Sequence, residues 1–382
     1  MLEYSDGHQA LYIHIPFCKT KCVYCDFCSF AGASHLFDKY VECLKKEMDT
    51  WSPLVADKRF STLFIGGGTP SILGGKTVAD ILQYAKSKFN LLPSAEITVE
   101  ANPDSFNEDF AGRVSRAGVN RVSLGLQSAS DRLLKNLGRP HDYNDFCRAY
   151  KRAQNYFDNV NVDFMLGIEG QTLADVEQTL TLLTDKNPQH LSGYGLILEK
   201  GTPLYRRVKN GIAKLPDVDE TADMYDFAVE FLAQRGYQRY EVSNFSKPGY
   251  ECRHNLKYWD RSQYLGLGLS AHGFIDGRRY SNLKTFDKYC SKIQSNQLPI
   301  SSRRKVSQKD ACLEYVFLNL RKTEGFDVEH FRQNTGKDFF EVYATQFDQL
   351  TKKNLLAQEN GRIYIPSRYF YVMNDILSEF VL

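Results

Sequence analysis

The sequence has little excess charge and no long apolar run, and each absence excludes a class of function. Its 48 Lys and Arg residues against 46 Asp and Glu residues leave a formal net charge of +2, which argues against a nucleic-acid partner. No uninterrupted apolar stretch reaches the roughly 18 residues of a membrane-spanning helix. The first residues, MLEYSDGHQA, lack the basic and apolar regions of a secretory signal. We therefore expect a soluble, cytoplasmic protein.

The cysteines do not suggest a disulfide framework, because nine of them are spread through a 382-residue chain of cytoplasmic character. Five are isolated from one another and are expected to be reduced core residues: Cys43, Cys147, Cys252, Cys290 and Cys312. The chain is 42% hydrophobic, enough for a real core. Its length suits one barrel-sized domain and a smaller one.

Six β-rich runs alternate with helix-compatible segments in the first half of the chain. The runs lie at 10–16, 61–67, 95–102, 120–127, 159–166 and 189–198, and the helical segments at 36–50, 75–89, 106–117, 142–156 and 173–185. This alternation predicts a parallel sheet with crossover helices. Both a doubly wound sheet and an incomplete barrel have this pattern.

The positions of the polar residues favour the barrel. Chemically active residues follow almost every predicted strand, and the carboxyl ends of barrel strands converge on one mouth. We predict an α/β fold, a partial (β/α)6 TIM-like barrel with a mainly helical, winged-helix-like C-terminal domain. The expected divisions are 1–215 for the barrel core, 216–300 for an extension with further strands at 237–245 and 265–274, and 301–382 for the C-terminal domain.

Four cysteines lie within eleven positions after the first predicted strand: Cys18, Cys22, Cys25 and Cys28. A structural zinc site usually needs a second pair of cysteines farther along the chain. A closed ferredoxin-type cluster would use all four thiolates, yet the usual final Cys-Pro is missing. The third interpretation is an iron–sulfur cube held by the first three cysteines alone, whose open iron could bind a second molecule.

A set of motifs resembles the radical S-adenosylmethionine (SAM) superfamily, and within it the anaerobic coproporphyrinogen III oxidase/dehydrogenase (HemN)-like family, HemW branch. The motifs are YIHIPFC, KCVYCDF, GGGTPS, EANPD, RVSLGLQS, LGRPH, DFMLGIEGQT and GLGLSAHG. They cover nearly the whole chain. The resemblance implies a 4Fe-4S cluster whose open iron binds SAM, which the reduced cluster cleaves to a 5′-deoxyadenosyl radical, with the protein supplying binding and orientation.

The resemblance also implies roles for individual residues. Cys18, Cys22 and Cys25 would ligate the cluster, while Cys28 would be a bystander. The implied SAM contacts are Tyr12, Tyr24, Gly67, Gly68, Thr69, Glu100, Gln127, Arg139, Asp163, Ile197 and His272. Glycine lets the backbone approach a ligand closely, although a plain tight turn also explains GGG.

Two functions fit the resemblance: a haem chaperone that delivers haem to acceptor haemoproteins, and an oxygen-independent coproporphyrinogen III dehydrogenase of porphyrin biosynthesis. The first predicted strand begins near residue 10, which leaves no room for the longer amino-terminal segment of the dehydrogenase and favours the chaperone. The cysteine motif also lacks the C-x-C ending of the dehydrogenase branch, and this too favours the chaperone. So does the H-N-x-x-Y-W signature of haem carriers, here His254, Asn255, Tyr258 and Trp259. Imidazole is a common haem ligand, and aromatic rings can stack on a porphyrin. The same residues could instead cap a turn and pack under the barrel.

The expected partners follow from the haem-chaperone interpretation. They are haem as cargo, acceptor haemoproteins, and a reductant such as flavodoxin or ferredoxin. A homodimer and a peripheral contact with membrane respiratory proteins are also compatible with it.

Overall fold

The computed structural model describes residues 7–381. Its strands are β1 (Gln9–Ile15), β2 (Phe17–Cys18), β3 (Phe30–Ala31), β4 (Phe60–Gly67), β5 (Leu91–Ala101), β6 (Arg121–Gln127), β7 (Val160–Leu166), β8 (His190–Gly195), β9 (Gln238–Arg239), β10 (Asn244–Ser246), β11 (Tyr264–Leu267), β12 (His272–Ile275), β13 (Arg278–Asn282), β14 (Ile300–Lys305), β15 (Phe326–Asp327), β16 (Ala357–Glu359) and β17 (Arg362–Tyr364). Its α-helices are α1 (Phe37–Trp51), α2 (Gly75–Lys88), α3 (Glu108–Arg116), α4 (Asp131–Leu137), α5 (Tyr143–Gln154), α6 (Leu173–Lys186), α7 (Pro203–Lys209), α8 (Val218–Ala233), α9 (Arg253–Trp259), α10 (Phe286–Gln294), α11 (Gln308–Asn319), α12 (Val328–Thr335), α13 (Phe339–Lys352) and α14 (Met373–Ser378). Across these residues no helix combines the length and apolarity needed to cross a bilayer.

A twelve-stranded sheet forms the framework, in the order β14-β13-β12-β11-β1-β4-β5-β6-β7-β8-β10-β9. The strands from β11 to β8 in this order are parallel, and antiparallel strands extend both edges. The six predicted parallel strands and the incomplete barrel are confirmed. The structure adds β11 as a seventh parallel strand, paired with β1.

The parallel strands are covered on both faces, as their apolar sequences require. Every residue of β6 is buried, and the core continues from the barrel into the helices around it. Three of those helices, α5, α6 and α8, begin with reciprocal capping boxes at Asp142, Thr172 and Asp217. These local signals stabilise the first turn of each crossover helix.

The sequence predicted one continuous strand at 265–274, and this prediction is wrong. The run divides into β11 and β12 at a turn where Gly268 and Ser270 have positive φ angles of 99° and 64°. A Cβ atom on Gly268 would lie 2.4 Å from the Tyr40 hydroxyl and 2.7 Å from the His14 carbonyl oxygen. The close approach of two other segments therefore requires glycine and ends the strand there.

The C-terminal region has the helix–strand–helix–helix–hairpin order of a winged helix, formed by α11, β15, α12, α13, β16 and β17. Its core is aromatic, with Phe326, Phe331 and Phe339 in mutual contact. The expected boundary at residue 300 falls at the start of β14, which pairs with β13 in the large sheet. By sheet membership the barrel extension therefore continues to Lys305.

Candidate functional site

Cys18, Cys22 and Cys25 line one cavity of about 540 Å³ at the carboxyl ends of the barrel strands, here called the cluster pocket. All three are free, half-buried thiols. Nine of the predicted SAM contacts line the same cavity, namely Tyr24, Gly67, Gly68, Thr69, Glu100, Gln127, Arg139, Asp163 and Ile197. Parallel strands thus bring together residues that lie far apart in the sequence, because their carboxyl ends meet at one mouth.

Two of the three thiols of the cluster pocket face hydrogen-bond donors. Arg139 Nη1 lies 3.6 Å from Cys22 Sγ, and the Thr69 hydroxyl lies 3.8 Å from Cys18 Sγ. Donors of this kind stabilise anionic sulfur, and thiolate is the soft ligand that iron–sulfur clusters require. Within residues 7–381 no three Cys, His, Asp or Glu side chains are arranged to hold a single metal ion. Three thiols on one loop are the kind of ligand that iron–sulfur clusters use, so the chemistry of the donor set fits such a cluster.

The glycine turn after β4 packs tightly against β1 and β5. Gly67 has φ +113°, and a Cβ atom there would lie 2.4 Å from the His14 ring. A Cβ atom on Gly68 would lie 2.5 Å from the carbonyl oxygen of Phe17. The Gly67 N–H donates to Glu100 Oε2 at 2.9 Å. Close packing within the protein thus already requires these glycines.

Charged side chains of both signs line the cluster pocket, namely Glu100, Asp163, Asp26, Glu199, Arg139 and Lys21. Burial, and next the neighbouring Asp163, raise the pKa of Glu100 to about 7. Burial also raises the pKa of Asp163, although hydrogen bonds from Asn161 and Ser192 oppose the change. The Arg139 guanidinium bonds Asn102 Oδ1 and the Gly125 carbonyl oxygen, each at 2.8 Å. This combination suits a ligand that carries both cationic and anionic groups, as SAM does.

Gln127 has a strained backbone, with φ +73° at the last position of β6. The register of β6 against β7 shifts at the same place, between Gly125 and Gln127. A left-handed conformation is costly for a residue with a side chain and is concentrated at binding sites. Gln127, which the resemblance implies as a SAM contact, lines the cluster pocket in this strained conformation.

A second cavity of about 440 Å³ lies beside the first and is here called the His272 pocket. Its lining residues are Tyr12, His14, Asp26, Phe27, Cys28, Tyr258, Tyr264, Ser270, Ala271, His272 and Lys284. Tyr12 and His272, both predicted to contact SAM, line this cavity and are absent from the lining of the cluster pocket. Asp26 and Phe27 border both cavities. The Cys28 thiol lies 3.7 Å from the Lys284 carbonyl oxygen, separate from the other three thiols.

The H-N-x-x-Y-W residues lie on α9, and the structure does not gather them around one cavity. His254 is only 1% exposed, and its ring nitrogens bond the hydroxyl groups of Thr62 at 2.8 Å and Tyr258 at 2.9 Å. Burial, and next the charge of Arg121, lower the pKa of His254 to about 3. Of the four residues only Tyr258 lines either cavity, while Asn255 and Trp259 are half-buried elsewhere.

Sequence reasoning missed several residues that line the cavities. Met165 and Tyr194 lie in the cluster pocket, and Tyr264 and Lys284 lie in the His272 pocket. Met165 and Tyr194 occupy the ends of β7 and β8, so their position after predicted strands was an available signal. No sequence pattern indicated Lys284, because the fold of residues 264–284 depends on the pairing of β11 with β1.

Comparisons with known proteins agree with this architecture. Residues 12–183 match the radical SAM superfamily and residues 306–368 match the HemN C-terminal domain. The heme chaperone HemW of Lactococcus lactis is 34% identical over 97% of each chain. That of Bacillus subtilis is 32% identical over 98% of this chain and 99% of the relative.

A solved structure has the same fold. It is coproporphyrinogen III oxidase (HemN) from Escherichia coli, described as a radical SAM enzyme, with a TM-score of 0.86 and 23% identity. The match covers 98% of this chain and 90% of that one. At 23% identity this likeness supports the fold alone. The two HemW relatives, in contrast, are similar in sequence over both the barrel and the C-terminal region. The chain belongs to the HemW family of the radical SAM superfamily.

Proposed function

We propose that the protein is a cytoplasmic haem chaperone that carries a 4Fe-4S cluster, binds SAM and delivers haem to acceptor haemoproteins. The observation that carries the proposal is the placement of three thiols, Cys18, Cys22 and Cys25, in one pocket while Cys28 lines another. The relatives from Lactococcus lactis and Bacillus subtilis are heme chaperones, which supports haem as the cargo.

In this proposal the residues of the cluster pocket bind and orient the cofactors. Cys18, Cys22 and Cys25 would hold the cluster, which when bound and reduced by a donor such as flavodoxin or ferredoxin would supply an electron for SAM chemistry. Arg139 pairs with the SAM carboxylate and stabilises the Cys22 thiolate. Glu100, close to half ionised near neutral pH, accepts hydrogen bonds from the ribose or the ammonium group.

The first experiment distinguishes the chaperone from the dehydrogenase. The anaerobically reconstituted, reduced protein is incubated with SAM and coproporphyrinogen III, and the products are analysed for protoporphyrinogen IX. A second aliquot is titrated with haem and mixed with the apo form of a b-type haemoprotein. We expect unchanged coproporphyrinogen, stoichiometric haem binding and transfer to the acceptor.

The matched control is Cys18→Ser, which removes one cluster ligand from the pocket without touching the residues of the His272 pocket. Haem transfer that is faster with the cluster-loaded protein than with Cys18→Ser supports a role for the cluster in delivery. Formation of protoporphyrinogen IX by the wild-type protein, and not by Cys18→Ser, would instead establish the dehydrogenase.

A further inference from the structure

The two edges of the twelve-stranded sheet differ in how they are protected. At one edge β9 has only two residues. The C-terminal region covers it, since the Arg239 side chain bonds the Ser367 carbonyl oxygen at 3.3 Å and lies over the Phe370 ring. At the other edge β14 has six residues, and residues 301–305 are all exposed. Such an open edge presents unpaired N–H and C=O groups to other chains.

The hydrogen-bond pattern of this edge determines which backbone groups of β14 point outward. The Val306 N–H donates to the Gly277 carbonyl oxygen at 2.9 Å, and bonded and non-bonded residue pairs alternate along an antiparallel ladder. In the register that follows from this bond, Arg278 and Lys305 form a non-bonded pair, and so does Arg303 with its partner on β13. The N–H and C=O groups of Arg303 and Lys305 therefore face away from β13, toward a strand that could be added.

The same two residues carry positive charges that lack a partner. Side chains at opposed and alternate positions share a face, so Arg278, Arg303 and Lys305 lie on one face of β13 and β14, here called the basic face. All three are exposed, and none of their side chains forms a hydrogen bond or an ion pair with another residue between 7 and 381. The neighbouring Asp276 pairs with Lys58 at 3.0 Å. Like charges directly opposite one another destabilise a sheet, so an anionic group over the basic face would relieve repulsion.

The opposite face of the same two strands has its charges balanced. Arg279 Nε pairs with Glu314 Oε1 at 2.8 Å, and Arg304 Nη1 pairs with Asp310 Oδ2 at 3.3 Å. On β13 and β14 the excess positive charge is thus on the basic face. An added strand with a carboxylate at every second position would place all of its carboxylates on that face, because side chains alternate along a strand.

Charge determines which kind of chain suits this edge. A second copy of the protein would bring its own Arg303, Arg304 and Lys305 against the same residues, and like charges across a strand pair repel. An acidic strand instead gains the backbone hydrogen bonds of strand addition and pairs its charges with the edge. The basic residues therefore disfavour pairing between copies and favour an acidic partner.

We propose that β14 is the docking edge for an extended, acidic segment of a partner protein, which adds as a thirteenth strand and pairs its carboxylates with Arg303, Lys305 and Arg278. The inference goes beyond the proposed function and does not depend on it. β14 runs opposite to the parallel strands, so its basic carboxyl end lies away from the mouth that holds the cluster pocket. A partner bound there would leave both cavities open.

The test uses the full-length protein and a fluorescein-labelled peptide of about ten residues in which Glu and Thr alternate, since β-branched Thr favours a strand. Fluorescence anisotropy measures the dissociation constant. Two further peptides serve as controls. One alternates Lys and Thr, and the other is the Glu peptide with every Glu residue N-methylated, which keeps the charge and removes the backbone donors that would bond β14.

Two protein variants remove the same charge at different places. The edge variant combines Arg303→Gln with Lys305→Gln. The matched control variant combines Lys151→Gln with Lys353→Gln, two exposed lysines on α5 and at the end of α13. Since the edge variant breaks no bond and relieves the repulsion on the basic face, it should melt at the wild-type temperature or above. Circular dichroism checks the melting temperature.

We expect the Glu peptide to bind the wild-type protein and the control variant equally, and to bind the edge variant about tenfold more weakly. The Lys peptide and the N-methylated peptide should also lose about tenfold in affinity. A rise in salt from about 50 to about 300 mM should weaken the wild-type binding, because exposed charges are screened. Hydrogen exchange at 300–305 should slow in the complex, since the N–H groups of Arg303 and Lys305 become bonded.

Three results would overturn the proposal. Equal binding of the methylated and unmethylated Glu peptides would mean attraction of charges without strand addition. Equal binding by the edge variant and the control variant would place the peptide elsewhere on the protein. The third result is a wild-type protein that does not bind the Glu peptide. Sedimentation with phosphatidylglycerol vesicles that only the edge variant loses would then assign the basic face to an anionic lipid surface.

Discussion

Single residues determine the chemistry of the cluster pocket through burial and spacing. Arg139 connects the Cys22 thiol, Asn102 and the Gly125 carbonyl oxygen, so one half-buried cation links the cysteine loop to the ends of β5 and β6. Glu100 and Asp163 line the same cavity. The result is a pocket with both signs of charge held apart by rigid strands.

We expect replacement of Cys18, Cys22 or Cys25 by serine to abolish the broad visible absorbance of the cluster after anaerobic reconstitution. A hydroxyl group is a poor substitute for a soft thiolate ligand. Cys28→Ser is the matched control and should retain the absorbance and about four irons per chain, the iron content of a 4Fe-4S cluster. Loss of the cluster in Cys28→Ser would contradict the three-ligand assignment.

We expect SAM affinity to rise about tenfold between pH 6 and pH 8, because the ionised fraction of a carboxyl with pKa about 7 rises from roughly 0.09 to 0.91 over that range. The carboxylate form is the stronger acceptor for ribose hydroxyls or an ammonium group. Isothermal titration calorimetry with the cluster-loaded protein measures the change.

The control for this pH dependence is Glu100→Gln, which cannot ionise at this position. Its remaining pH dependence reports the titration of SAM itself and is subtracted from the wild-type series. A wild-type series that parallels Glu100→Gln would show that Glu100 does not govern binding.

At the scale of elements, α9 shows how a buried carboxylate positions a short helix inside the barrel. Glu96 of β5 accepts the backbone N–H groups of Arg253 and His254 at 3.1 and 2.9 Å. It is only 7% exposed. These bonds satisfy donors at the start of the helix that would otherwise be buried without partners.

We expect Glu96→Ala to lower the free energy of unfolding by about 3 kcal/mol, since it leaves buried N–H donors unpaired. Urea denaturation followed by circular dichroism measures the loss. The matched control is Glu177→Ala on the exposed face of α6, which should change stability by less than about 0.5 kcal/mol. Equal effects of the two substitutions would contradict the capping role.

At the scale of the whole molecule, ion pairs connect the C-terminal domain to the barrel. Lys322 pairs with Asp260, and their side chains are only 7% and 12% exposed. Glu314 of α11 pairs with Arg261 at 3.1 Å and Arg279 at 2.8 Å. The domain therefore docks beside the end of α9, the helix that carries the H-N-x-x-Y-W residues.

We expect Lys322→Met to lower the free energy of unfolding by about 3 kcal/mol, because it leaves the Asp260 carboxylate buried without its partner. The double variant Asp260→Asn with Lys322→Met should recover a large part of the loss, since it removes the isolated charge. Thermal and urea unfolding of the three proteins measure both effects. Equal losses in the single and double variants would mean that the pair does not couple the domains.

Local sequence patterns predicted the strands of the parallel sheet and the residue types of the candidate site. The β-branched strands and the spacing of Cys18, Cys22 and Cys25 are local properties, so they could be recognised before any fold was known. The barrel mouth was also predictable, because the carboxyl ends of parallel strands must meet. That argument correctly grouped Glu100 and Asp163 with the cysteines.

Which polar residues share a cavity, and which are buried apart from it, depends on contacts that form only in the folded chain. His254 and His272 are both histidines near aromatic residues in the sequence, yet one is enclosed by hydroxyl groups under the barrel and the other is exposed at a pocket. Their difference depends on the pairing of β11 with β1 and on α9 entering the barrel. Burial and hydrogen-bond partners arise from contacts between distant segments, which local sequence patterns do not encode.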